Sequence, residues 1–174
     1  MPENPENPSE VNATRMTYKP EVLAALREFR HARPWRGTIE ERKAKFQTLH
    51  DALCRIYGRE VTLTFEVGDA ETPTGNGWCA QDRRSIGLTG KLSVVTFLHE
   101  WAHVIFGWNE ARVVAWSVNL YRRIFRRSAA RMTTVGPLIV RPEAVPGLLV
   151  ALGQTDAPVA PDEGDVNGEE ERNS

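Results

Sequence analysis

Cysteine is nearly absent: the 174-residue chain has two, Cys54 and Cys79. That excludes a small scaffold held together by disulfides, and two unpaired thiols suit a reducing compartment. No apolar run approaches the roughly 18 residues needed to cross a bilayer, so no membrane partner is expected. The opening stretch, Met1 to Pro8, has neither a basic nor an apolar segment. It does not read as a secretory signal, and the expected location is cytoplasmic. Net charge is scarce as well, at −1, but that figure hides a division. Residues 155–174 carry seven acids against the single base Arg172, which leaves a body of net charge +5. What is present in quantity is ordinary: 41% hydrophobic and 26% charged residues, the mixture of a globular chain and not of a wholly disordered one.

Residues 1–18 are rich in Pro, Asn, Glu and Ser, and residues 154–174 are acidic without apolar periodicity. Both read as disordered segments flanking a foldable domain over 19–153. A helix is expected from Pro20, whose fixed φ suits a first turn, with Val22, Leu23, Leu26 and Phe29 on one face. Thr38 and Glu41 have the spacing of a capping box for a second helix, striped by Phe46, Leu49, Leu53 and Ile56 and closed by Gly58. Val61, Leu63, Phe65 and Val67 alternate with polar residues, as on a half-buried strand. After a Gly/Pro/Thr loop over 68–77, a hairpin is expected with strands at Trp78 to Gln81 and Ser85 to Leu88.

Ser93 can cap a strongly apolar helix that stops at Gly107. Asn109 can cap another that carries Arg122, Arg123, Arg126 and Arg127 in its last turns. Beyond Met132 a short apolar stretch through Val140 reads as extended, and Leu148 to Leu152 as a final helical turn. Together these elements define an α+β chain, its helices packed on a small, mostly antiparallel sheet.

One spacing carries chemistry. His99-Glu100-Trp101-Ala102-His103 puts two imidazoles four residues apart on one helical face, where both can bind one metal ion. Zn2+ so held lowers the pKa of a coordinated water towards about 7. Glu100 has the position to accept that water's proton as a general base. Two imidazoles and a carboxylate among Phe97, Leu98, Val104 and Ile105 also need a partner, and a metal is one. The third ligand depends on the turn. On a straight helix Glu110 would lie about 10.5 Å beyond His103 along the axis, out of reach of a shared metal. If Gly107 turns the chain, Glu110 swings back to the site. The alternative is an acid placed only to favour a helix N-terminus, and Asn109 is the weaker competing donor.

The motif, followed by an acidic third position, resembles the zincin metallopeptidases. Glu110-Ala111 with Ala115-Trp116-Ser117 is similar to the glutamate-bearing helix of small zincins of the ImmA/IrrE-like kind. The resemblance covers about residues 40–127, and its specific part is the five-residue motif. It implies a minimal zincin-like fold, His99, His103 and Glu110 as zinc ligands, and Glu100 as the catalytic base. The gap from His103 to Glu110 is shorter than in the better-known glutamate zincins, and the metzincin spacing is missed by one residue. The resemblance also implies an edge strand that pairs with an extended substrate, for which Ser85 to Leu88 is the candidate. Tyr121, His50 and several arginines are candidates for the oxyanion donor.

The expected function is zinc-dependent hydrolysis of a peptide or protein substrate. The alternatives are nucleic-acid association and a zinc-binding domain without catalysis. The first alternative rests on Arg27, Arg30, Arg33, Arg36, Arg42, Lys43 and Lys45, with the arginines near 122–127; solvated helix faces explain the same residues more simply. His31 and His50 read as surface or packing histidines. Trp101, Trp108 and Trp116 read as core, and both cysteines as small buried hydrophobes.

Overall fold

Thr38 and Glu41 cap each other as their spacing predicts. Thr38 Oγ1 accepts from the Glu41 amide at 3.2 Å, and Glu41 Oε2 accepts from the Thr38 amide at 2.7 Å. From that box runs α2 (Ile39–Tyr57), ended by Gly58 at φ 59°. The helix before it, α1 (Pro20–His31), begins on its proline and buries Val22, Leu26 and Phe29. The strands are β1 (Thr62–Glu66), β2 (Asn76–Cys79) and β3 (Ser85–Thr89). Then come α3 (Val94–Phe106), α4 (Glu110–Ile124), the single turn α5 (Arg126–Ala129), and the strands β4 (Thr133–Val135) and β5 (Leu138–Val140). The computed structural model describes residues 16–66, 76–90, 92–135, 138–146 and 149. The acidic segment, most of the 68–77 loop and most of the last expected turn lie outside the described residues.

The architecture is α+β. Of its three strand pairings among the described residues two are antiparallel, as expected, and the larger sheet contains the parallel one. The strand order is β1-β3-β2, with β1 and β3 parallel and β2 and β3 antiparallel. β2 follows β1 in the chain yet takes the far edge, so the sheet is mixed. Ser85 to Leu88, expected as an edge strand, lies instead in the central strand and is hydrogen-bonded on both sides. That position explains why Ile86 and Leu88 are buried. Among the described residues no strand pairs with the outer edge of β2, which packs against α3. The hairpin is as expected, although its first strand starts two residues before Trp78.

Three further differences concern the ends. Met16 and Tyr18, assigned to the N-terminal segment by composition, pack against the core, and Tyr18 donates to the Trp116 carbonyl at 3.3 Å. The expected last arginine turns of α4 are split, because the helix stops at Ile124 and Phe125 turns the chain into α5. The stretch after Met132 forms a two-stranded antiparallel hairpin and not a single strand.

The core encloses α3. Phe97, Leu98, Trp101 and Ala102 have no exposed surface. Each fully buried large side chain contributes about 1.5–3 kcal/mol relative to exposure. α4 covers one side of α3, the β2–β3 pair another, and α2 a third through Phe46 against Phe97 and His50 against Trp101. One face of α3 is left for His99 and the groups around it.

Candidate metal centre

Ser93 starts α3 by accepting from the Thr96 amide at 3.3 Å. One and a half turns later the helix presents His99, and one further turn brings His103 over it, with ring centroids 4.8 Å apart. Their Nε2 atoms are 3.2 Å apart. The Nδ1 of His103 lies 3.0 Å from the Gly107 carbonyl. A carbonyl only accepts, so Nδ1 carries the proton and Nε2 presents its lone pair, the tautomer a metal ligand needs.

Gly107 then redirects the chain. Its φ of 69° with ψ of −144° lies in a region that side-chain-bearing residues scarcely enter. Asn109 caps the next helix by accepting from the Arg112 amide at 3.1 Å. Glu110, the first residue of α4, consequently faces back towards α3. Its Oε1 is 3.4 Å from His99 Nε2, and its Oε2 is 3.6 Å from His103 Nε2. The structure thus brings His99, His103 and Glu110 together, with one donor atom from each within 4.8 Å of the others.

Those separations test whether the residues fit a metal. Donors in a tetrahedral zinc site, bonded at about 2.0–2.1 Å, stand about 3.3–3.4 Å apart. The two imidazole Nε2 atoms, 3.2 Å apart, stand close to that edge length, and each has a different oxygen of Glu110 beside it, at 3.4 and 3.6 Å; with one oxygen per carboxylate the three donors lie within 4.8 Å. Two imidazoles and a carboxylate are also a donor set that zinc prefers. Burial pushes the His99 imidazole below the ordinary histidine pKa, with Glu110 opposing the shift, and so favours the neutral, ligating form. The residues fit.

Glu100 lies beside the triad and is buried, 6% exposed. Burial first, and the charge of Glu110 second, push its carboxyl up to about 7. β2 presses on it: a methyl group on Gly77 would stand 2.9 Å from Glu100 Oε1. On the same strand, burial raises the Cys79 thiol to about 11, with Glu100 adding to the shift, so it remains a neutral thiol at pH 7.

Other site residues are placed differently from expectation. Tyr121 is buried and donates to Ser128 Oγ at 2.8 Å. His50 is 1% exposed behind α3, where its Nε2–H donates to the Val61 carbonyl at 2.8 Å. Its Nδ1 accepts from Trp101 Nε1–H at 3.3 Å. Both side chains are committed away from the ligand face, which removes them as oxyanion donors. Trp101 and Trp116 are core, but Trp108 is not: it is 56% exposed, with its ring 4.9 Å from that of His103. Sequence reasoning missed this exposed aromatic wall. Its position directly after the turning Gly107 was the available signal.

Comparison of the chain with known protein families, with curated proteins and with solved structures finds no match. Among the described residues no helix is long and apolar enough to cross a membrane.

Proposed function

We propose that the chain is a zinc-dependent peptide-bond hydrolase of the zincin type. The observation that carries this reading is the convergence of one donor atom each from His99, His103 and Glu110 within 4.8 Å, with the buried Glu100 one residue from the first ligand. Zinc bound there would supply the Lewis acidity that acidifies a water molecule and polarises a substrate carbonyl. His103 keeps its lone pair on the site through its bond to Gly107, and Glu110 adds the negative charge that makes the donor set selective for a dication. Glu100 has a pKa close to neutrality, which lets it take a proton from water and return it to the departing amine nitrogen. The edge of β2, unpaired among the described residues and beside Glu100, offers backbone groups to an extended peptide. Trp108 gives the same cleft an apolar wall. Two free cysteines fit a cytoplasmic setting.

The test combines metal analysis with mass-spectrometric mapping of a digested peptide mixture, using the full-length chain. The wild type should hold about one zinc per chain, and His99→Ala or Glu110→Ala should lose it. Glu100→Gln should retain zinc while cleavage falls by about 10²–10⁴-fold. Zinc-free wild-type protein, or undiminished cleavage by Glu100→Gln, sinks the reading.

A further inference from the structure

Away from the metal centre, the fold collects arginines that the sequence keeps far apart. Residues 27–33 contain three arginines and one acid, Glu28, and residues 122–131 contain five arginines and no acid. The two segments meet at the ends of α1 and α4. Arg30 Nη1 donates to the Ile124 carbonyl at 3.0 Å, and the rings of Phe29 and Phe125 pack edge to face at 6.5 Å. Arg27, on the same side of α1 as Arg30, and Arg123, Arg126, Arg127 and Arg131 are all exposed. Among the described residues none of them has a carboxylate within ion-pair distance.

Several of the other basic residues near α1 and α2 are engaged. Arg42 bonds the Pro34 and Leu92 carbonyls, Lys45 those of Arg33 and Arg36, and Lys43 pairs with Glu40. What remains is an arginine-rich patch in whose two segments Glu28 is the one acid. Thirteen residues separate Glu110 from Arg123, so the patch lies about 20 Å along α4 from the metal centre.

We propose that this patch binds the phosphate backbone of nucleic acid. Guanidinium groups pair bidentately with phosphate, and five exposed ones without an ion-pair partner among the described residues call for a dense, regular array of anions. Duplex DNA carries one charge per roughly 1.7 Å of its axis. A lipid surface fits less well, because the exposed large apolar residues, Trp35, Ile39, Trp78 and Trp108, all lie outside the two arginine segments. The contact is sequence-independent and positions the chain, and the metal site it carries, on nucleic acid.

The test is anisotropy of a short fluorescent DNA duplex titrated with the full-length chain. Five phosphate contacts predict an affinity loss of about five-hundredfold between about 50 mM and about 200 mM salt. Arg126→Glu/Arg127→Glu should weaken binding about tenfold or more at low salt, while Arg59→Glu/Arg84→Glu, on the β-sheet side, should leave it within about threefold. The milder Arg127→Ala should weaken binding in the same direction, and circular dichroism confirms that each variant is folded. Three results overturn the proposal: no duplex binding at low salt, equal loss in both double variants, or binding to anionic phospholipid vesicles in place of the duplex.

Discussion

Replacing His50 tests how α3 is held, and it needs no substrate. The imidazole is 1% exposed and joins three elements: it sits on α2, donates to Val61 just before β1, and accepts from Trp101 in the middle of the metal-binding motif. Both ring nitrogens are committed, so the neutral form fits and the protonated form would turn Nδ1–H against Trp101 Nε1–H. Burial accordingly lowers its pKa, with the Val61 bond and Asp51 pulling the other way. The sign follows from linkage. Above the unfolded value of 6.5 both states are neutral and the stabilisation is complete; below it the unfolded chain takes up a proton that the folded chain resists. Stability therefore falls as the pH drops from 6.5 towards the lowered folded value, by at most about 1.4 kcal/mol per pH unit.

His50→Gln can keep both hydrogen bonds and does not titrate in this range. Urea unfolding of wild type and variant at a series of pH values should give a shallower decline for the variant below pH 6.5, with its difference from wild type shrinking as the pH falls. His50→Phe keeps a ring but strands the Trp101 N–H, at about 1–3 kcal/mol, and leaves the Val61 carbonyl with the long Cys54 Sγ contact at 3.8 Å. An identical pH dependence in wild type and His50→Gln would refute the reasoning.

Two more substitutions probe the site's frame. Gly77→Ala would place a methyl group 2.6 Å from Thr96 Cγ2 and 2.9 Å from Glu100 Oε1. β2 must then retreat from α3, at about 1–3 kcal/mol by thermal or urea unfolding; because Glu100 shifts with it, cleavage should fall about 10²-fold while zinc content is unchanged. Gly107→Ala meets only Arg83 Nη1, at 3.5 Å, so its cost is conformational: about 1–3 kcal/mol, with weaker zinc binding measured by chelator competition as Glu110 loses its approach. Wild-type zinc affinity in that variant would show that the turn does not position Glu110.

The sequence by itself determined what neighbouring residues decide among themselves. The caps at Thr38, Ser93 and Asn109, the ends at Gly58 and Gly107, and the strand through Leu63 all rest on preferences set within a few positions, and each is where the pattern puts it. The pairing of His99 with His103 was legible for the same reason, since helical geometry alone sets it. Tertiary structure decided the rest. How far Glu110 swings back depends on the crossing of α3 and α4 and not on the spacing of residues. Strand order is a competition between whole strands, so the central place of Ser85 to Leu88 and the edge place of β2 left no local mark. The same holds for His50 behind Trp101, and for arginines near residues 30 and 125 that become neighbours only when α1 and α4 end side by side. Periodicity shows which face of an element is apolar; which other element covers that face is decided by packing in three dimensions.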